Sequence, residues 1–234
     1  MVHDKRFVRD AFASIAPRYD LLNTLLSGGV EIVWRRHAVR ALQPERNDRV
    51  LDLCAGTLTL SQDILKREPR ILSITSVDFC VEMLLLGSSR LAPWQEEKIF
   101  PVTGDAEAIP AASDSFDSAI VTYGIRNLAD REAGIRELFR VLKPGGRLVI
   151  LDFLQPSAPV ISTLYGFYLK RILPLIGGAV SGSSAAYRHL SDSIEGFISA
   201  EALCALLEGA GFRQVNVDRL SFGIAGLFTA RKPN

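Results

Sequence analysis

The sequence predicts an α/β protein with a Rossmann-like, mainly parallel seven-stranded sheet and helices on both faces. Short apolar runs alternate with helical patterns from residue 49 to residue 152, as expected for strands joined by crossover helices. Residues 148–151 are apolar throughout, which is typical of a central strand buried on both faces. The chain closes with a helix and two strand-like runs, which predict a hairpin at the sheet edge.

Residues 1–45 are predicted to form an N-terminal helical cap. Apolar residues recur at helical spacing from residue 7 to residue 26, and we expect a break at Pro17 and an end at Ser27-Gly28-Gly29. A second helix is predicted over residues 32–42, before Pro44.

Residues 46–152 are predicted to form the α/β core, within a single domain over residues 1–234. Each apolar run ends at a glycine or a polar residue, where a parallel strand would give way to a loop. The predicted strands are 49–54, 71–77, 98–103, 116–122 and 147–151, with helices at 60–66, 81–86 and 131–142.

Residues 153–190 do not fit this alternation and are predicted to be a helical insertion. The segment up to residue 186 is rich in Leu, Ile, Tyr and Gly. The sheet then resumes in residues 191–234, with a helix at 200–208 and edge strands at 215–218 and 226–230.

Composition narrows the classes of function. The 27 Lys and Arg residues against 26 Asp and Glu residues give a net charge of +1, so the basic excess typical of nucleic-acid binding is missing. Three cysteines without a CxxC pair suggest neither a zinc site nor a disulfide scaffold. The charge-free stretch 172–187 is too short and too interrupted by Gly and Pro to span a bilayer. We therefore expect a cytoplasmic protein without a metal.

Polar residues end three consecutive predicted strands, where open α/β sheets bind their ligands. Gly56 lies in the first βα turn and allows close approach of a ligand. Asp78, after the second strand, could accept hydrogen bonds from a ribose diol. Asp105, after the third, could accept from an adenine amino group, with Ala106 packing beside the ring. Together these residues predict a bound nucleoside.

The first loop, AGTLTL, lacks the GxGxxG pattern of dinucleotide sites and the Gly-Lys-Ser/Thr of a P-loop. A nucleoside without phosphates indicates S-adenosylmethionine as the cofactor.

Several segments together resemble one family, the ubiquinone/menaquinone biosynthesis C-methyltransferases, within the class I S-adenosylmethionine-dependent methyltransferases. The similarity extends over roughly residues 6–232. Its more specific segments are 12–23 (FASIAPRYDLLN), 104–110 (GDAEAIP), 115–117 (SFD), 123–128 (YGIRNL), 187–194 (YRHLSDSI) and 223–226 (GIAG), whereas 140–147 (RVLKPGGR) is common to many methyltransferases.

The resemblance implies methylation of a ring carbon of a prenylated quinol, either demethylmenaquinol or a ubiquinol precursor. Arg126, Asn127 and Tyr19 would line the active site and act in catalysis. A surface ion pair for Arg126 and a core position for Tyr19 are the alternatives. The predicted cofactor-binding residues are Asp52, Gly56, Thr57, Asp78, Asp105, Ala106 and Thr122.

One departure from the family pattern concerns the first loop. The family usually has Gly-Thr-Gly-Asp, whereas this chain has Gly56-Thr57-Leu58-Thr59. Either the loop has repacked around Leu58, or cofactor binding is weakened. A silent binding protein that keeps the fold, and a methyltransferase for another small apolar or phenolic substrate, are the alternative functions.

The insertion could serve as a lid over a lipid substrate. Lys170 and Arg171 could meet anionic headgroups, and the apolar residues could contact a membrane or a second copy in a homodimer. A plain lid that completes the core is the alternative. The residues predicted to line a tunnel are Leu164, Tyr165, Phe167, Tyr168, Leu169, Ile172 and Leu173.

Overall fold

The computed structural model describes residues 5–173, 175 and 184–234. Its centre is a seven-stranded sheet in the order β3-β2-β1-β4-β5-β7-β6. The first five strands are parallel, and β7 runs antiparallel to both β5 and β6. The predicted fold class and the predicted edge hairpin are confirmed. The strands are β1 (Arg49–Leu53), β2 (Ser73–Asp78), β3 (Ile99–Thr103), β4 (Phe116–Thr122), β5 (Leu142–Phe153), β6 (Arg213–Leu220) and β7 (Ala225–Arg231).

Helices cover both faces of the sheet, as predicted. One buried apolar cluster joins α3, α4 and the sheet, and a second joins α7, α10 and the opposite face. The helices are α1 (Lys5–Ile15), α2 (Tyr19–Leu26), α3 (Val30–Leu42), α4 (Thr59–Arg67), α5 (Val81–Ser88), α6 (Pro93–Glu96), α7 (Arg131–Val141), α8 (Pro159–Phe167), α9 (Ser184–Glu195) and α10 (Ala200–Gly209).

Two boundaries are informative. A 3₁₀ turn, Ala16–Arg18, separates α1 from α2 and contains Pro17, so the predicted break is confirmed. Strand β5 begins at Leu142, five residues before the predicted start at 147. The Lys143-Pro144-Gly145-Gly146 segment continues the strand because the amide of Gly145 and the carbonyl of Gly146 bond to Lys232.

The cap and the insertion pack against each other through an apolar cluster apart from the two sheet clusters. Ile15 and Leu22 from the cap contact Leu169, Leu173 and Ile194. In the insertion, α8 continues into a π-helical turn, Tyr168–Ile172. The charge-free stretch 172–187 lies partly outside the described residues. None of the helices in the described ranges is long and apolar enough to cross a membrane.

Asp52, predicted to bind the cofactor, lies instead in the core between β1 and α4. Its carboxylate is fully buried and accepts a 2.6 Å hydrogen bond from Ser61 Oγ, which lies 2.8 Å from Ser76 Oγ. Burial, with a smaller contribution from the nearby Asp78 carboxylate, raises the pKa of Asp52 to about 7, although the hydrogen bond from Ser61 opposes the shift. The side chain points toward the helix layer because residues in a strand alternate between faces.

This buried carboxyl group predicts a pH-dependent stability. The pKa of Asp52 is near its ordinary 3.8 in the unfolded chain and about 7 in the folded chain, so between those pH values the folded chain keeps a proton that the unfolded chain loses. Stability therefore falls as pH rises through that window, by up to about 1 kcal/mol per pH unit from this group, and is constant above it. Urea unfolding of the wild type and of Asp52→Asn from pH 4.5 to 8 measures this contribution. Parallel stability curves for the two proteins would contradict it.

Candidate active site

Two cavities lie side by side at the carboxyl ends of the parallel strands. The larger, about 290 Å³, is enclosed by cap helices, the insertion and the loop after β4. The smaller, about 70 Å³, lies over the ends of β1, β2 and β3. The residues that line both are Phe12, Tyr19, Tyr123 and Asn127. These four side chains form the junction of the two cavities, and a molecule in either cavity would lie against them.

The smaller cavity contains most of the residues predicted to hold the cofactor. Gly56 lies in its wall with φ of +52°, in the left-handed region that favours glycine. The cavity is also lined by Asp78, Asp105, Ala106 and Thr122. The structure thus brings together five of the seven predicted residues.

Asp78 is fixed by the backbone at the end of β2. The amide of Gly56 donates to one carboxylate oxygen and the amide of Cys80 to the other, each at 2.8 Å. Burial raises the pKa of Asp78, and these amide hydrogen bonds oppose the shift. The amide of Phe79 contributes as well, and the carboxylate keeps acceptor capacity for a ligand hydroxyl.

Helix α1 closes one side of the smaller cavity through Lys5. The Lys5 ammonium lies 2.7 Å from a carboxylate oxygen of Asp105 and 2.7 Å from one of Glu107. Both Lys5 and Asp105 remain more than 40% exposed, so this contact is weak and can open. Opening at this point would widen the cavity for a ligand.

Thr57, predicted to bind the cofactor, does not line either cavity. Its hydroxyl donates a 2.6 Å hydrogen bond to Asp20 of α2, which also accepts from Thr59 at 3.3 Å and pairs with Arg90 at 2.7 Å. The two threonines therefore attach the cap to the first loop. This is a correction to the prediction for Thr57, as for Asp52.

Leu58 leaves the smaller cavity open. It adopts φ of +60°, the conformation a glycine would have there, and precedes α4. Its side chain is fully buried in the apolar cluster with α3 and α4, and it lies where a side chain at Gly87 would be. Leu58 is therefore packed in the core, and its side chain points away from the cavity.

Arg126 is buried in the wall of the larger cavity, so the surface ion pair is excluded. The guanidinium is 3% exposed and lies 2.8 Å from Asp152 Oδ1. Asp152 also accepts from the backbone amides of Arg126, at 3.1 Å, and Phe153, at 2.9 Å. The guanidinium carbon is 5.8 Å from the ring centre of Tyr123 and 5.3 Å from that of Phe153. A fixed cation thus faces a mainly apolar space.

Asn127 and Tyr19 lie at the junction of the cavities. The Asn127 amide donates to the carbonyl of Tyr123 at 3.2 Å, and its own oxygen is buried without a partner among the described residues. Burial raises the pKa of Tyr19, whereas the Arg126 charge and a hydrogen bond with Asn23 lower it. These side chains offer polar atoms to a ligand that spans the junction.

The insertion contributes only one face of its helix to the larger cavity. Tyr165, Tyr168, Leu169 and Leu173 line it as predicted. Leu164 and Phe167 are instead more than 60% exposed, and Ile172 is 37% exposed. Helical geometry places them on another side of the helix.

Comparison with known proteins places this arrangement in one family. The model of the ubiE/COQ5 methyltransferase family matches residues 1–232. The chain belongs to this family. It is 42% identical to the ubiquinone/menaquinone biosynthesis C-methyltransferase UbiE of Geotalea daltonii, over 96% of each chain. It is 40% identical to the demethylmenaquinone methyltransferase of Thermus thermophilus, over 95% of this chain and 100% of that one.

Solved structures agree with the fold. A methyltransferase from Thermotoga maritima, described as a possible histamine N-methyltransferase, superposes with a TM-score of 0.66 at 20% identity and covers 95% of this chain and 99% of that one. The predicted enzyme class is confirmed: the chain is an S-adenosylmethionine-dependent methyltransferase of the ubiE/COQ5 family.

The residues of the smaller cavity fit that cofactor. Asp78 offers lone pairs to a diol at the end of β2, and Asp105 offers a carboxylate one strand further along. Gly56 leaves the first turn without a side chain. Clusters of His, Cys, Asp and Glu suited to a metal ion are absent from residues 5–173, 175 and 184–234.

Asp152 is the residue of this ubiE/COQ5 site that the sequence prediction missed. It is the last residue but one of β5, and Asp78 is the last residue of β2, so the same strand-end pattern could have indicated it. Only the structure shows that Asp152 is fully buried and paired with Arg126.

Because Leu58 is packed in the core, we expect Leu58→Gly to change the stability of the fold and not the affinity for the cofactor. Loss of the buried side chain lowers the free energy of unfolding. Glycine adopts the left-handed conformation without strain, which offsets part of this loss, and the net decrease is about 2 kcal/mol. We expect S-adenosylmethionine affinity within about threefold of wild type, measured by calorimetry alongside urea unfolding.

The matched control is Gly56→Leu, which puts the same side chain on a residue that does line the cavity. This variant should bind the cofactor at least tenfold more weakly, by about 1.4 kcal/mol. Tighter cofactor binding by Leu58→Gly than by wild type would show that Leu58 obstructs the site.

Proposed function

We propose that this chain transfers the methyl group of S-adenosylmethionine to a ring carbon of a prenylated quinol, in quinone biosynthesis. The observation that carries the proposal is the junction of the two cavities. A cavity suited to the cofactor, with Asp78 and Asp105 in its wall, lies beside a mainly apolar one with a buried arginine. The names of the relatives, UbiE and demethylmenaquinone methyltransferase, agree with this substrate class.

The chemistry needs a nucleophilic ring carbon. The bound cofactor supplies an electrophilic methyl group on a sulfonium sulfur. Arg126 stabilises the oxygen of the quinol when its hydroxyl proton leaves to water, and the negative charge then spreads to the adjacent ring carbon. That carbon forms a bond to the methyl group as the sulfur–methyl bond breaks. Loss of the ring proton from the same carbon restores the aromatic ring, and the quinol oxygen then takes back a proton from water.

The chain's own residues prepare this step. Asp152 and the carbonyl of Tyr123 accept from Arg126 Nη1 and fix its position, so little reorganisation is needed during reaction. The part of the Arg126 guanidinium is to stabilise an anion. Asn127 and Tyr19 lie where the two cavities meet and orient the ring. Apolar walls keep water from separating the two opposite charges.

The alternative functions have less support. A silent binding protein rested on Leu58 and Thr59, but Leu58 is packed in the core and Thr59 bonds to Asp20. A methyltransferase for another apolar phenol would use the same cavities, so a substrate comparison must distinguish it.

The decisive variants for this mechanism remove the buried cation. We expect Arg126→Ala to lower kcat on reduced demethylmenaquinone by about 10²–10³-fold, with cofactor affinity almost unchanged. Because this change leaves Asp152 buried without its partner, a second variant, Arg126→Gln with Asp152→Asn, replaces the pair by neutral amides. Transfer of labelled methyl to the quinol is the measurement.

The matched control is Arg136→Ala, on the exposed surface of α7, which should leave turnover unchanged. Near-normal turnover in both Arg126 variants would reject the role of this residue. Wild-type turnover on simple phenols and none on the prenylated quinol would favour the alternative substrate class.

We also infer that helix α8 contacts the membrane that holds the quinol. Val160, Leu164 and Phe167 are 71%, 63% and 61% exposed and lie on one face, while Tyr165 lines the cavity. A lipid substrate would move from the membrane, at the exposed face of α8, into the cavity at the face that carries Tyr165. Lys170 pairs with Glu195 at 3.4 Å yet stays 64% exposed, so part of its charge faces solvent. The cytoplasmic location and the homodimer stay predictions.

Sedimentation with anionic liposomes tests the contact. We expect binding by the wild type, and a loss of about tenfold when Leu164 and Phe167 are changed to Ser, because burial of their apolar area is lost. The control is Phe100→Ser, a 46% exposed aromatic on β3, which should bind like wild type. Equal sedimentation of all three proteins would contradict the inference, as would a wild-type protein that binds no liposomes.

A further inference from the structure

The larger cavity contains a buried carboxylate that the proposed mechanism does not use. Glu31, in the first turn of α3, is 4% exposed and lines this cavity. Its Oε1 accepts a 3.0 Å hydrogen bond from Thr24, and its Oε2 lies 3.3 Å from Arg35. A carboxylate can accept about four hydrogen bonds, so two acceptor positions remain. As a carboxylate, Glu31 has no hydrogen to donate.

Tyr123 supplies an unpaired donor beside it. Its hydroxyl is buried and has no hydrogen-bond partner within the described part of the chain. Tyr123 and Glu31 both line the larger cavity. The Tyr123 ring stacks on Phe153 with ring centres 5.1 Å apart, and Phe153 packs against Trp34, on the same helix as Glu31, at 5.9 Å. Burial raises the pKa of Tyr123, and the Glu31 charge contributes in the same direction. A buried hydroxyl without a partner costs free energy unless a ligand or water completes its hydrogen bonds.

Tyr123 also connects this position to the buried arginine. Its backbone carbonyl accepts from Arg126 and Asn127, whereas its hydroxyl is at the far end of the side chain, and the residue lines the same cavity as Glu31. The two oxygens of a 1,4-quinol are likewise at opposite ends of a ring. When one oxygen of the quinol lies at Arg126, the second oxygen lies at the end of the cavity away from Arg126.

We propose that Glu31 and Tyr123 bind the second hydroxyl of the quinol and so select the reduced ring over the oxidised one. This inference rests on the proposed function. A hydroxyl accepts a hydrogen bond from Tyr123 and donates one to Glu31. A quinone carbonyl oxygen can accept a hydrogen bond but cannot donate one. It therefore accepts from the Tyr123 hydroxyl, but its lone pairs face those of the Glu31 carboxylate, and the two repel. The quinone cannot be methylated at the ring carbon, and weak binding of it keeps the site free for the quinol.

A purely structural role for Glu31 is the competing explanation, since the residue also holds Arg35. Asp63 offers the matched control because its carboxylate lies 3.5 Å from the same arginine but does not line the cavity. Asp63→Asn disturbs the pairing of Arg35 and leaves the cavity wall intact. Glu31→Gln keeps an acceptor for Thr24 and gains a donor that a quinone carbonyl can use.

The test compares two oxidation states of one ligand. The probe is 2-methyl-1,4-naphthoquinone with a one-isoprene chain at C3, whose ring carbons are both blocked against methylation and thiol addition. Anaerobic calorimetry with S-adenosylhomocysteine present gives Kd for the quinone and for the dithionite-reduced quinol. We expect wild type and Asp63→Asn to bind the quinol at least about tenfold more tightly, and Glu31→Gln to bind the two within about threefold.

A second variant covers the possibility that Glu31→Gln does not fold. Tyr123→Phe should weaken quinol and quinone by similar factors, because either oxygen can accept from the tyrosine. Equal affinities in wild type, or an unchanged preference in Glu31→Gln, would overturn the inference and leave the proposed function intact. Failure of either ring to bind wild type would overturn the inference and contradict the proposed substrate cavity as well.

Discussion

The buried pair between Arg126 and Asp152 is the interaction on which the site depends. Burial of such a pair adds little net stability compared with apolar packing, because desolvation of both charges is costly. The pair matters for function because it holds a cation at the wall of a mainly apolar cavity. The Arg126 side chain is 3% exposed, and the carboxylate of its partner Asp152 is fully buried. That carboxylate also accepts two backbone amides, so the end of β5 and the loop after β4 fix the arginine together. A more exposed arginine would be hydrated and would stabilise a developing anion less.

The cap completes both cavities because it is attached to the first loop of the sheet. Thr57 and Thr59 bond to Asp20, and Arg90 pairs with the same carboxylate. Thr59 occupies the place where the family usually has an aspartate, and in this chain a carboxylate from α2 lies beside it. The departure from the family pattern therefore has a structural consequence, which is a bond between cap and loop. Leu58 contributes core packing at the same turn.

The sequence predicted the fold and the strand ends well because parallel strands have a strong apolar signal and their carboxyl ends must meet at one edge. Asp78 and Asp105 were found in this way. Asp52 was assigned wrongly because strand alternation decides which face a side chain takes, and the pattern of polar residues alone did not show it. The Asp152 partner of Arg126 and the Glu31 position depend on packing between distant elements, which no local pattern encodes.

We infer that S-adenosylmethionine is held at the ends of β1, β2 and β3, in the cavity that contains Asp78. Calorimetric titration of the cofactor into the wild type and into Asp78→Ala tests it most directly. The account predicts binding by the wild type and an affinity lower by at least about tenfold in the variant, because Asp78 is the buried acceptor at that edge. Equal affinity in the two proteins would place the cofactor elsewhere, and absence of binding by the wild type would contradict the account.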